Sequence, residues 1–124
     1  MSPWAWAGFV VAGAVGAPAR YLLDDAISSR TQGVFPWGTL AINVSGSFLL
    51  GLLTGLALFH GLPATPRLIL GTGFCGAYTT FSTFTYETVR LAEEGAVNEA
   101  VRNALASLVL GAAAAAAGLA AAAL

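Results

Sequence analysis

The sequence predicts an all-α membrane protein with four transmembrane helices, the third broken at its centre. Three observations lead there. The 124 residues are 57% hydrophobic and 9% charged, where a soluble domain carries about 25% charge. The charges are also clustered: Met1–Ala19, Thr31–Pro66, Leu68–Tyr86 and Asn103–Leu124 have none. A span takes about 20 apolar residues, so helices are expected over about 4–26, 37–59, 67–92 and 98–122. They occupy residues 1–124 as a single transmembrane domain. Finally, the run Gly71-Thr72-Gly73-Phe74-Cys75-Gly76 interrupts the third span with glycine, and Thr79, Thr80 and Ser82 follow. Each glycine weakens a helix interior by about 1 kcal/mol, while threonine and serine favour helix starts.

Helix 1 opens on Trp4 and Trp6, residues suited to the membrane interface. Gly8, Ala12 and Gly16 repeat every four residues, a small-residue face for close packing. Pro18 is expected to kink the end of the helix. Arg20 lies near its last turn, with two readings: snorkelling to headgroups, or an anion-attracting charge at a vestibule. Asp24 and Asp25 follow in a solvated position. The N-terminus lacks a basic signal region, so this helix is expected to stay.

Phe35-Pro36-Trp37 marks re-entry into the membrane. Helix 2 carries Thr39, Asn43, Ser47, Gly51 and Gly55 at four-residue spacing, a polar-then-small stripe along one face. Asn43 is costly in lipid and needs a partner or water. It is either glue between helices or part of a pore lining. The lone His60 at the helix 2–3 loop carries no assigned role.

Helix 3 is expected as one piece to about Gly73, an irregular turn, and a second piece from about Thr80. Lipid cannot satisfy the backbone groups freed by such a break, which must be buried in protein or line an aqueous path. Freed carbonyls suit cations, and half-helix N-termini suit anions. A glycine kink that only tightens packing is the competing reading. Phe81 and Phe84 share a face beyond the break, flanked by Thr80 and Ser82. Ring edges are electropositive and stabilise an anion without a formal charge. Glu87, one turn on, is either solvated or placed at a pore entrance. Helix 4 repeats the polar spacing through Asn103, Ser107 and Gly111, then becomes alanine-rich.

Composition also excludes some functions. A formal net charge of −1 without lysine argues against a nucleic-acid surface. The single cysteine, Cys75, excludes an intrachain disulfide and reads as a small packing residue.

Three pieces of the chain resemble the Fluc (CrcB) family of fluoride channels. They are Gly13-Ala14-Val15-Gly16-Ala17-Pro18-Ala19-Arg20-Tyr21, Gly38-Thr39-Leu40-Ala41-Ile42-Asn43-Val44-Ser45-Gly46, and Gly73-Phe74-Cys75-Gly76-Ala77-Tyr78-Thr79-Thr80-Phe81-Ser82-Thr83-Phe84. The resemblance implies a non-enzymatic, multi-pass cell-membrane protein (inner membrane in a Gram-negative cell) that exports fluoride passively. It implies an antiparallel, dual-topology homodimer with two pores. A structural sodium ion would sit at the dimer centre, held by the backbone carbonyls of Gly76 and Thr79. Phe81 and Phe84 would line the anion path, Asn43 would donate to fluoride, and Arg20 would lie near a vestibule. A polar track of hydroxyls would include Ser107, Thr39, Thr80 and Ser82, with Asn103 and Gly111 at further track positions where the family often has hydroxyls.

Two other functions compete. A proton-coupled exporter of the small multidrug type also has four short helices, but needs a membrane-embedded carboxylate; the first acidic residue here is Asp24, at a helix end. A structural membrane subunit would leave Asn43, Thr79, Thr80 and the glycine break without purpose. Physically, a homodimer is expected because four helices are too few to shield a broken helix from lipid. Arginine placement leans the other way on orientation: Arg67 lies on one side, with Arg20, Arg30, Arg90 and Arg102 on the other, which favours a single insertion.

Overall fold

A computed structural model describes the whole chain, Met1–Leu124. It is all-helical. Helix α1 (Pro3–Ser28) starts where the Ser2 hydroxyl accepts the Ala5 N–H at 3.1 Å, and it continues through Pro18 without interruption. Helix α2 (Trp37–His60) ends at Gly61, whose left-handed backbone (φ 67°) suits a residue without a Cβ. The third crossing is composite. Its first arm joins α3 (Ala64–Arg67), a π-helical stretch (Leu68–Cys75) and the single turn α4 (Gly76–Tyr78). Its second arm is α5 (Phe81–Glu93). Helix α6 (Val97–Ala122) completes the chain. By length and apolarity, α1, α2 and α6 each suffice to cross a membrane.

The crossings alternate in direction. Asp24, near the end of α1, lies against Gly38 at the start of α2. The His60 ring is 2.7 Å from the Ala122 carbonyl, so α2 and α6 end together. The Arg102 guanidinium lies 5.4 Å from the centre of the Phe35 ring, which joins the start of α6 to the entry into α2. Small residues bring the helices close. Gly51 faces the Ala115 backbone and Gly118 faces the Phe48 backbone, leaving no space for a Cβ at either position. The predicted Gly8–Ala12–Gly16 face of α1 packs on the first arm: Gly8 meets Ile69, Ala12 meets Gly73, and Gly16 meets the Phe74 carbonyl.

The break differs from its expected form. The helix does not stop near Gly73; it runs to Tyr78, and only Thr79 and Thr80 are extended. Gly73 is kept for contact, since a side chain there would meet the Phe9 carbonyl and Ala12. The backbone absorbs the glycine-rich sequence by widening into π turns, with the Gly76 N–H reaching back five residues to the Gly71 carbonyl. What ends the first arm is the extended conformation of Thr79 (ψ 159°).

Candidate functional site

The break is built from its own hydroxyls and from one amide of α2. The Thr79 N–H and hydroxyl both bond the Cys75 carbonyl, at 2.9 and 2.8 Å. Thr80 caps α5, its hydroxyl accepting the Thr83 N–H at 3.1 Å and donating to the Thr83 hydroxyl at 3.0 Å. Asn43 then closes the gap from outside. Its Nδ2 donates to the Thr80 carbonyl and its Oδ1 accepts the Thr80 N–H, both at 2.8 Å. A side chain thereby replaces the backbone partners that an unbroken helix would supply at Thr80. Gly46, one turn along α2, lies against the Thr79 methyl and lets the two segments touch.

On one side of the break lies a cavity of ≈350 Å³. Asn43 and Ser47 of α2 line it, with Thr79, Thr80, Phe81 and Phe84 of the third crossing and Ala104 and Ser107 of α6. No charged side chain is among the lining residues. The Phe81 and Phe84 rings stand 5.9 Å apart at 49°. Phe84 is half-buried, whereas Phe81 is 75% exposed, so the cavity is open on that side.

Donor geometry separates the polar residues. The Thr80 hydroxyl is committed to its cap and the Thr79 hydroxyl to Cys75. The Ser47 hydroxyl meets no protein acceptor, and Ser107 is held only by a stretched 3.5 Å bond to Asn43's counterpart in α6, Asn103. Asn43 has a second N–H beyond the one given to Thr80. The donors available to the cavity are therefore one Asn43 N–H and the hydroxyls of Ser47 and Ser107.

The remaining sequence candidates lie elsewhere. Thr39 is buried one turn before Asn43 and donates to the Glu87 carboxylate. This pair sits beyond Phe84, outside the cavity lining. Ser82 is exposed, 3.5 Å from the Thr80 hydroxyl. Arg20 is half-buried on α1 and forms neither an ion pair nor a hydrogen bond. Asn103 is 1% exposed and does not line the cavity. Gly111 faces Ser47. Ser47 joins the lining although the sequence singled it out only as part of the α2 stripe; its place midway between Asn43 and Gly51 was the available signal.

Gly76 and Thr79 face a second cavity, of ≈300 Å³, between the first arm and α2, with Arg67 at one end. Thr79 lines both cavities. The Gly76 carbonyl loses its ordinary helical donor, because the Thr80 N–H is turned to Asn43. Gly76 is exposed and has open space where a Cβ would stand. Gly76 and Thr79, the residues expected to hold a cation through their backbone carbonyls, thus lie together on this cavity, but two carbonyl oxygens are too few to complete a cation's coordination.

Residues 7–119 match the family model described as CrcB-like protein, Camphor Resistance (CrcB). The chain is 55% identical over 111 residues to fluoride-specific ion channel FluC 1 of Streptomyces avermitilis, covering 89% of this chain and 90% of the relative. It is 51% identical over 108 residues to FluC 2 of Moorella thermoacetica, covering 86% and 87%. With FluC 2 of Mycobacterium bovis the identity is 46% over 110 residues, covering 89% and 84%.

Proposed function

This chain belongs to the CrcB family, a family of ion channels and not of enzymes, and from that premise we propose that it is a fluoride-selective channel exporting the ion passively. It is a multi-pass protein of the cell membrane. The observation that carries the proposal is the uncharged cavity beside the break, where neutral donors and two aromatic rings converge. Fluoride is small and strongly hydrated, so a path must replace its water with good donors. The Asn43 N–H and the hydroxyls of Ser47 and Ser107 supply them, and the ring edges of Phe81 and Phe84 add weak positive potential. A buried arginine would trap the ion; neutral donors let it leave.

The open side of the cavity at Phe81 motivates a second copy of the chain. In an antiparallel homodimer, a two-fold axis through the break would cover both first arms and bring the Gly76 and Thr79 carbonyls of two chains together. Four carbonyls suit one structural sodium ion. When bound, sodium would supply a fixed positive charge that favours an anion nearby. Arg20 would add long-range attraction at the mouth, and the Thr39–Glu87 pair would border the entrance.

The test is fluoride efflux from liposomes holding purified protein. Wild type is expected to conduct, and Phe81→Ile and Phe84→Ile to lose most of the flux while remaining folded. Full flux in both variants would reject the assignment of the rings. Long dialysis into sodium-free buffer should lower flux, and Thr79→Ser, which keeps the carbonyl, should respond to sodium as wild type does. Flux indifferent to sodium would remove the cation from the proposal.

A further inference from the structure

A chain of hydrogen bonds behind the cavity is not used by the reading above. It begins at Ser107, whose hydroxyl lies 3.5 Å from Asn103 Oδ1. Asn103 Nδ2 donates to the Thr88 hydroxyl at 2.8 Å. Thr88 donates to the Phe84 carbonyl, also at 2.8 Å. Both ends line the cavity, through Ser107 and Phe84, while Asn103 is 1% exposed and does not.

The direction of this chain is fixed by chemistry. A carbonyl only accepts, so the single Thr88 proton goes to Phe84. The Thr88 oxygen must then receive an N–H, which turns the Asn103 amide so that Oδ1 faces Ser107. A flipped amide would oppose Oδ1 to the Thr88 lone pairs. The Ser107 proton thus has an acceptor inside the protein, but at a distance well beyond the usual 2.7–2.8 Å or so of a hydroxyl bond. Serine in a helix otherwise bonds the carbonyl one turn back, which here belongs to residue 103 itself.

We propose that Asn103, oriented by Thr88, is a positioning residue that keeps the Ser107 hydroxyl off its own backbone and free to turn to an anion in the cavity. The inference rests on the channel reading. In the resting cavity the Ser107 hydroxyl points to Oδ1 in a stretched hydrogen bond. An arriving anion replaces Oδ1 as the acceptor of that hydrogen bond at little cost. Without Oδ1 the hydroxyl falls back onto the residue 103 carbonyl, and the anion must break a full-strength bond to recruit it.

Fluoride efflux from liposomes tests this with Asn103→Leu, Thr88→Val and Ser107→Ala, singly and paired. Each single change is expected to lower flux roughly five- to tenfold, the worth of about one hydrogen bond. Thr88→Ser, which restores the hydroxyl, should restore flux. The distinguishing result is the cycle: added to Ser107→Ala, neither Asn103→Leu nor Thr88→Val should lower flux further. A merely structural asparagine would lower the melting temperature with or without Ser107, and its flux losses would multiply with those of Ser107→Ala. Multiplying losses, or unchanged flux in Thr88→Val, overturn the inference. If Asn103→Leu does not fold, the Thr88 and Ser107 variants complete the same cycle. A wild type without flux overturns the channel reading, and this inference with it; a conducting wild type with a failed cycle overturns this inference alone.

Discussion

Asn43 clamps the break and also lines the cavity beside it. Its oxygen and one N–H hold both backbone groups of Thr80, and its other N–H remains for the cavity. The bonding is asymmetric in consequence. Asn43→Leu leaves the N–H and carbonyl of a buried residue unpaired, with Thr80 at 8% exposure, and each orphan costs about 1–3 kcal/mol. The variant is expected to lose at least about 2 kcal/mol of stability by that measure and to conduct poorly. Amide exchange gives a sharper check. Thr80 lies outside any helix, yet its N–H should exchange slowly in wild type and much faster in Asn43→Leu. Fast exchange in wild type would contradict the clamp. Asn103 looked like a sibling of Asn43 in the sequence, at the head of a matching stripe. Its burial behind Thr88 depends on how α5 and α6 rotate against each other, which spacing along one helix does not specify.

At the level of the helices, a break was legible but its place was not. Glycine-rich sequence reads as the weak point of a helix because glycine costs about 1 kcal/mol there. Here Gly73 serves contact with α1, and the helix survives because packing outweighs propensity. The stop comes three residues after Gly76, where an amide from α2 competes for Thr80. Such a competitor lies 37 positions away in the chain, beyond the reach of local pattern. The Thr80 cap, by contrast, was readable, since it is a local bond between residues three apart. Gly46 tests the geometry. A Cβ there would collide with the Thr79 methyl, and threonine, branched at Cβ, turns aside poorly. Gly46→Val should therefore cost roughly 1–3 kcal/mol as overpacking. It should also lower fluoride flux by displacing Thr79 from both cavities. A folded Gly46→Val channel with wild-type melting and flux would show that α2 need not touch the break.

For the molecule as a whole, the four alternating helical segments place the linker before α2 and the start of α6 at one end, joined by Phe35 and Arg102. Arg30, Arg90 and Arg102 belong to that end, and Arg67 to the other. By the positive-inside rule this bias favours one orientation, whereas the proposed dimer requires both. The dimer is proposed because a second, inverted copy would cover the open side of the cavity at Phe81 and would bring its own Gly76 and Thr79 to the cavity they line. Labelling a cysteine added at the C-terminus of intact cells decides it: about equal labelling from the two sides is expected, and labelling from one side alone would sink the antiparallel arrangement. Three of the four expected spans, α1, α2 and α6, are helices long and apolar enough to cross a membrane, and they were countable from charge-free runs, since lipid imposes length and polarity directly on sequence. Assembly was not, because a surface that meets protein and a surface that meets lipid are both apolar.

The π-helical stretch Leu68–Cys75 has a consequence for how the chain tolerates changes in length. Wider turns store more residues along a given rise than α turns do, so this segment holds slack. Removing one residue there, at Thr72 where the surface is exposed, should let the stretch tighten into α-helix while Arg67 and Gly76 stay nearly in place. Removing one from α2 between Asn43 and Gly51 has no such outlet and should swing the polar stripe off the cavity. The two deletions, compared by yield of folded protein, are expected to differ sharply in favour of the first. Equal loss would mean that the wide turns are held by their neighbours and carry no spare length.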